Sequence, residues 1–298
     1  MKYLINAFRG FCMALADSVP GVSGGTIAFI LGFYDKFITS LNNIIFGNKK
    51  EKKEALLFLI KLGIGWIIGM ISAVLVLTNL FESHIYAVSS VFLGFIMFSI
   101  PLIIKEEKKC LKGKYKNLIF SVFGIIIVSL ITYFNPASGR SSFINVGDFS
   151  FGLAIYVFIT AMIAISAMVL PGISGSTLLL IFGLYIPIMT AVRGVIHLDL
   201  SYLPVLVIFV FGVLAGVILV IRLIKIALEK YRSQMIYLVL GLMIGSFYAI
   251  VMGPMTLEVP KDPMSFSTFN IICFIIGFLL VFGLERVKKY LEKKNIKD

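Results

Sequence analysis

Two short segments hold residue types suited to binding an anion: Pro20-Gly21-Val22-Ser23-Gly24-Gly25-Thr26 and Pro171-Gly172-Ile173-Ser174-Gly175-Ser176-Thr177. Both lie within long apolar stretches. Proline disfavours helix at the residue before it, and the glycines tolerate left-handed backbone and close approach. The chain is therefore expected to stop a helix near Val19 and Leu170, turn, and restart through Ser23 and Ser174. A restarting helix presents unpaired N–H groups and the positive end of its dipole, which together suit a phosphate or carboxylate. Small side chains leave those amides open, and Ser23, Thr26, Ser174 and Thr177 add hydroxyls. The competing reading is plain packing, since Gly, Pro and Ser also let membrane helices approach closely.

Charged residues near the breaks are few. Arg9 and Asp17 flank the first, and Thr160 and Met168 stand at the matching places before the second. An ionisable group inside a membrane is a functional candidate by default. Arg9 suits bidentate binding of a phosphate, or anchors its helix at the interface. Asp17 suits proton uptake and release, or caps the turn. Arg140 and Arg193 are candidates for recruiting an anionic headgroup, against an ordinary loop role.

The segments that must carry these residues are helices in lipid. Hydrophobic residues make up 59% of the 298, and only 14% are charged, too few to cover a soluble core. Seven stretches approach the roughly 20 residues a bilayer crossing needs: Ala55–Val76, Ala87–Ile104, Asn117–Phe134, Phe151–Leu170, Leu203–Ile224, Met235–Met252 and Thr268–Leu284. They are apolar on every face, which excludes a barrel. The net charge of +12 comes from lysines and arginines in alternate short loops, a membrane-topology pattern and not a nucleic-acid surface. Cys12, Cys110 and Cys273 are scattered, so neither a disulfide framework nor a zinc site is expected. No metal-ligand cluster and no phosphate-binding Gly-rich lysine loop occurs, so no metal, cofactor or direct ATP drive is expected.

Displaced by 151 positions, Leu15–Tyr34 matches Ser166–Tyr185 at nine of twenty residues. Downstream, Gly65 and Gly69 correspond to Gly212 and Gly216, Gly94 to Gly241, and more loosely Gly124 to Gly277. Self-similarity at fixed spacing marks duplication. Each half reads as a broken or re-entrant helical hairpin followed by three transmembrane helices, with repeat 1 over 1–150 and repeat 2 over 151–298 of a single membrane domain. The basic loops lie around 49–53, 105–116, 222–232 and 286–297; the intervening loops Phe81–Tyr86, Asn135–Ser150, Arg193–Tyr202 and Gly253–Ser267 hold only Arg140, Arg193 and Lys261. That alternation predicts cytoplasmic termini. An odd number of spans per half predicts inverted repeats, with the two breaks converging near the midplane. The paired Gly-xxx-Gly sites read as helix-packing faces.

The run Ala16-Asp17-Ser18-Val19-Pro20-Gly21-Val22-Ser23-Gly24-Gly25-Thr26, preceded by Arg9-Gly10 and echoed at Pro171–Ser176, resembles the bacterial polyprenyl-phosphate transporter family over essentially the whole chain. The resemblance implies a multi-pass protein of the bacterial cytoplasmic membrane. Such a protein flips undecaprenyl phosphate from the outer to the inner leaflet, where the lipid carrier is reloaded for peptidoglycan and other envelope polymers. It implies a lipid phosphate monoester as partner at the doubled motif, with proton coupling through a carboxyl group open. Two other functions fit the residues. Polyprenyl pyrophosphatases carry a similar Pro-Gly-x-Ser-Arg-Ser-Gly stretch, but its arginine is replaced here by Gly24 and Gly175. A carrier or channel for a small anion would use the same half-helix ends.

Overall fold

A computed structural model of the chain describes residues 2–17, 23–134, 150–173, 175–196, 198–256 and 260–295. Among these residues every regular element is helical. The α-helices are α1 Lys2–Asp17, α2 Gly24–Ile30, α3 Tyr34–Phe46, α4 Lys49–Glu106, α5 Lys108–Leu111, α6 Leu118–Tyr133, α7 Phe151–Met168, α8 Gly175–Ile181, α9 Tyr185–Ile196, α10 Leu203–Lys230, α11 Arg232–Met252 and α12 Ile271–Asn295. Among the described residues six helical segments are long and apolar enough to cross a membrane: Lys49–Ala73, Ser83–Glu106, Tyr115–Tyr133, Phe151–Met168, Leu200–Lys230 and Arg232–Met255.

Helix α4 corrects one expectation. The sequence predicts a loop over Phe81–Tyr86, yet helix runs through this region, and His84 alone (φ −133°, ψ 37°) departs from helical geometry. The reason is local: residues 71–93 contain neither Gly nor Pro, so helical hydrogen bonding resumes at once. Its 58 residues would extend about 87 Å if straight, well beyond a hydrocarbon layer of about 30 Å. His84 therefore divides α4 into two arms, each a candidate span. Asn48 starts the first arm with a capping box: its side chain accepts from the amides of Lys50 and Glu51, while the Glu51 carboxylate accepts from the Asn48 amide.

Glycines set the helix crossings. A side chain at Gly65 would strike the backbone of Ala7, and one at Gly69 that of Phe11, so α1 lies against the first arm of α4 and runs parallel to it. In the second half Gly212 meets Phe158 and Gly216 meets Met162, which seats α7 on α10 in the same way. Two further glycine-seated crossings join the halves. Gly94 of α4 meets Phe274 of α12, and Gly277 of α12 meets Val91; correspondingly, Gly241 of α11 meets Ser121 of α6, and Gly124 of α6 meets Leu238. The last helix of each half thus packs on the other half. Gly65→Leu is expected to pry α1 from α4 and lower the melting temperature in detergent, at a cost of about 1–3 kcal/mol or more from overpacking. Gly63→Leu, two residues away with nothing within 4 Å, is expected to melt like the wild type.

The segments rich in lysine and arginine gather at one end of the bundle. Arg232 binds both Glu107 and Asp35, Lys288 pairs with Glu106, Arg222 lies over Phe46, and Asn117 donates to Ser233. At the other end Tyr86 donates to the Asp262 carbonyl and the Asn270 amide to Ser90.

Candidate functional site

Helix α1 stops at Asp17 and α2 starts at Gly24, with Ser23 extended between them (φ −128°, ψ 149°). Ser23 occupies the N-cap position, but its hydroxyl does not cap. It donates instead across the molecule to the carbonyl of Leu170, at 3.2 Å. The first amide of α2 is met by Asp17: Gly24 N–H donates to Oδ1 at 2.6 Å. The other oxygen, Oδ2, accepts from the indole Nε1 of Trp66 at 2.9 Å. One half-buried carboxylate therefore satisfies a helix N-terminus and ties it to the first arm of α4, as a charge-assisted acceptor does well.

The second break is held by the first. α7 ends at Met168, and Gly172 takes a left-handed turn (φ 87°) before α8 starts at Gly175. The Gly172 amide donates to Thr26 Oγ1 at 3.1 Å, and its carbonyl accepts from Ser246 of α11 at 2.9 Å. Tyr34, at the start of α3, sends its hydroxyl to the Val169 carbonyl at 3.1 Å. Gly25 completes the contact: a Cβ there would lie 3.1 Å from Val169 O and 3.2 Å from Pro171 N. Ser23, Thr26 and Ser246 are each at most 1% exposed, so these hydroxyls serve the joint between the breaks.

Of the residues singled out in the sequence, Asp17, Ser23, Gly24, Gly25, Thr26, Pro171 and Gly172 thus come together, with Gly175 opening α8 beside Ala164 and Met168. Pro20, Gly21, Ser174 and Arg140 lie outside the described residues, as do the side chains of Ser176, Thr177 and Arg193. Arg9 stands apart. It is eight residues before Asp17 on α1, about 12 Å along the axis. Its guanidinium lies 4.8 Å over the Phe33 ring and donates to Asn6.

Sequence reasoning missed Trp66 and Ser246. Trp66 is the one tryptophan in the chain and sits beside Gly65, the closest seat of α1. A lone indole in an apolar span needs a partner for its N–H, and that was the available signal. Ser246 carries no comparable mark.

Comparison with known proteins adds the following. A family model described as undecaprenyl phosphate translocase-like matches residues 13–268. A polyprenyl-phosphate transporter of Staphylococcus aureus is 35% identical over 283 residues, covering 95% of this chain and 96% of the relative. A polyprenyl-phosphate transporter of Vibrio cholerae is 32% identical over 327 residues, covering 98% of each. No solved structure matches the chain.

Proposed function

Because this chain belongs to the undecaprenyl phosphate translocase-like family, we propose that it carries a polyprenyl phosphate across a bacterial cytoplasmic membrane, from the outer to the inner leaflet. The observation that carries this reading is the direct joining of the two Pro-Gly breaks, Ser23 to Leu170 and Gly172 to Thr26. Two broken helices meeting inside an apolar bundle create the polar spot that a phosphate headgroup needs to leave water. The prenyl tail can stay in lipid, so the protein must shelter only the charge.

In this proposal the halves are inverted repeats and each break is a re-entrant hairpin. Both termini and the basic end face the cytoplasm. The amides and hydroxyls around Gly21–Thr26 and Gly172–Thr177 receive the phosphate once the Ser23–Leu170 and Gly172–Thr26 bonds between the breaks release, and Arg9 supplies counter-charge on the route. Asp17 now has a defined place: its carboxylate holds the amide that a phosphate oxygen would take. Headgroup and carboxylate compete for one donor, so taking up the substrate requires Asp17 to move aside or gain a proton. Rocking of the repeats would then exchange access between leaflets.

Reconstituted vesicles that report which leaflet holds a polyprenyl phosphate test this directly. The purified chain is expected to speed its movement between leaflets well above protein-free vesicles. No acceleration, or phosphate release from a polyprenyl pyrophosphate instead, overturns the reading.

A further inference from the structure

The basic end holds a half-open cavity of about 170 Å³ beneath the α2–α3 turn. Phe29, Gly32, Tyr34 and Asp35 form one wall, and Glu106, Glu107, Arg232 and Lys288 face them. Its charged groups are already matched. Arg232 grips Glu107 with a fork, Nε to Oε2 at 2.9 Å and Nη2 to Oε1 at 2.5 Å, and reaches Asp35 with Nη1 at 2.9 Å. Lys288 pairs with Glu106. Both cations belong to the second half of the chain and all three carboxylates to the first. Each of these pairs therefore fastens one half to the other.

The cavity also touches the joined breaks. Tyr34 lines it while its hydroxyl donates to Val169 in the second break. A headgroup leaving that joint toward the basic end would meet Arg232 and Lys288 next. With three carboxylates against two cations, the cavity rejects a further anion while the pairs stand. A phosphate monoester carries up to two negative charges and three acceptor oxygens, and it binds an arginine fork as well as a carboxylate does. The Arg232–Asp35 pair, with side chains 37% and 54% exposed, is the weak one; Glu107 and Lys288 are 16% and 11% exposed, so their pairs yield only to an acceptor that replaces the carboxylate.

We propose that this cavity is the release site for the phosphate headgroup, closed by a charged latch between the halves that the phosphate opens by drawing Arg232 and Lys288 from their carboxylates. The proposal rests on the transport reading above for its ligand, but the latch can be tested without it. Cys110 provides the reporter. Its thiol contacts the Glu107 carbonyl and carboxylate; burial first and Glu107 second push it up to about 11 against a smaller pull from Arg232, so parting the halves speeds its reaction with a maleimide by relieving that burial. With Cys12 and Cys273 replaced by Ala in the full chain, a membrane-impermeant maleimide reads this site alone.

Lys288→Gln, which touches Glu106 and not the reporter's partner, is expected to speed Cys110 labelling about tenfold without ligand, in the range of site-to-site coupling. Unchanged labelling overturns the latch. Polyprenyl phosphate added to vesicles holding the wild-type latch is expected to speed labelling similarly, and inorganic phosphate at the same concentration much less. Equal acceleration by inorganic phosphate overturns the lipid headgroup as ligand. If polyprenyl phosphate leaves labelling unchanged yet is transported in the same vesicles, the exchange step is wrong. If it is neither transported nor sensed, the transport reading fails, and the Lys288→Gln result still decides the latch.

Discussion

Asp17→Asn is expected to reduce polyprenyl phosphate movement in vesicles by at least about a hundredfold, the rate equivalent of roughly 3 kcal/mol. The carboxylate faces two donors, Gly24 N–H and the Trp66 indole N–H. An asparagine of the same shape has one acceptor oxygen and sets an NH2 against one of those donors. It loses a charge-assisted bond and leaves a donor unmatched, each worth about 1–3 kcal/mol. The amide also cannot ionise, so any step needing Asp17 to exchange charge with the phosphate is lost. Trp66→Phe separates the two contributions. It removes one bond to Asp17 and keeps the charge, so melting temperature should fall while much of the transport persists. Melting in detergent and leaflet exchange, measured on equal amounts of folded protein, distinguish these cases. Normal transport by Asp17→Asn would reduce Asp17 to a cap on α2.

The contrast between those two residues shows what a sequence exposes. Asp17 was visible because a charge in an apolar stretch is anomalous by itself. Its partner Trp66 lies 49 positions further on, and no local rule pairs them. The breaks were legible for the same local reason: Pro and Gly act on their own backbone, so α1 stopping at Asp17 and α7 at Met168 needed no knowledge of the fold. His84 illustrates the converse: the polar stretch around it suggests a loop between two spans, yet without Gly or Pro the helix resumes at once and only one residue departs from it. The hydroxyls were read by type and not by destination. Ser23 and Thr26 suit an anion in isolation, yet in the structure Ser23 donates to Leu170 and Thr26 accepts from Gly172. Spacing revealed that Gly94 corresponds to Gly241, but not that each would receive the last helix of the opposite half. Choice of partner is a property of the packed bundle.

Gly172→Ala tests whether that packing clamps the site. The residue sits at φ 87°, where a Cβ is strained, and a methyl would lie 2.8 Å from the Leu242 carbonyl carbon and 3.1 Å from its Cβ. Leu242 belongs to α11, whose apolar stretch is 61% buried against 17–44% for the other candidate spans, so α11 has little room to retreat. Backbone strain of about 1–2 kcal/mol adds to overpacking of about 1–3 kcal/mol. The displaced turn would also pull its amide from Thr26 and its carbonyl from Ser246, parting the two breaks. A marked fall in melting temperature and near-complete loss of transport are expected. Gly113→Ala isolates the dihedral contribution, because Gly113 has φ 77° and nothing within 4 Å. If Gly172→Ala behaves no worse than Gly113→Ala, Leu242 must yield easily, and the second break is not held against the first by α11. If it is far worse while Gly113→Ala stays near the wild type, the joint between the breaks depends on a gap in α11 that only glycine can fill.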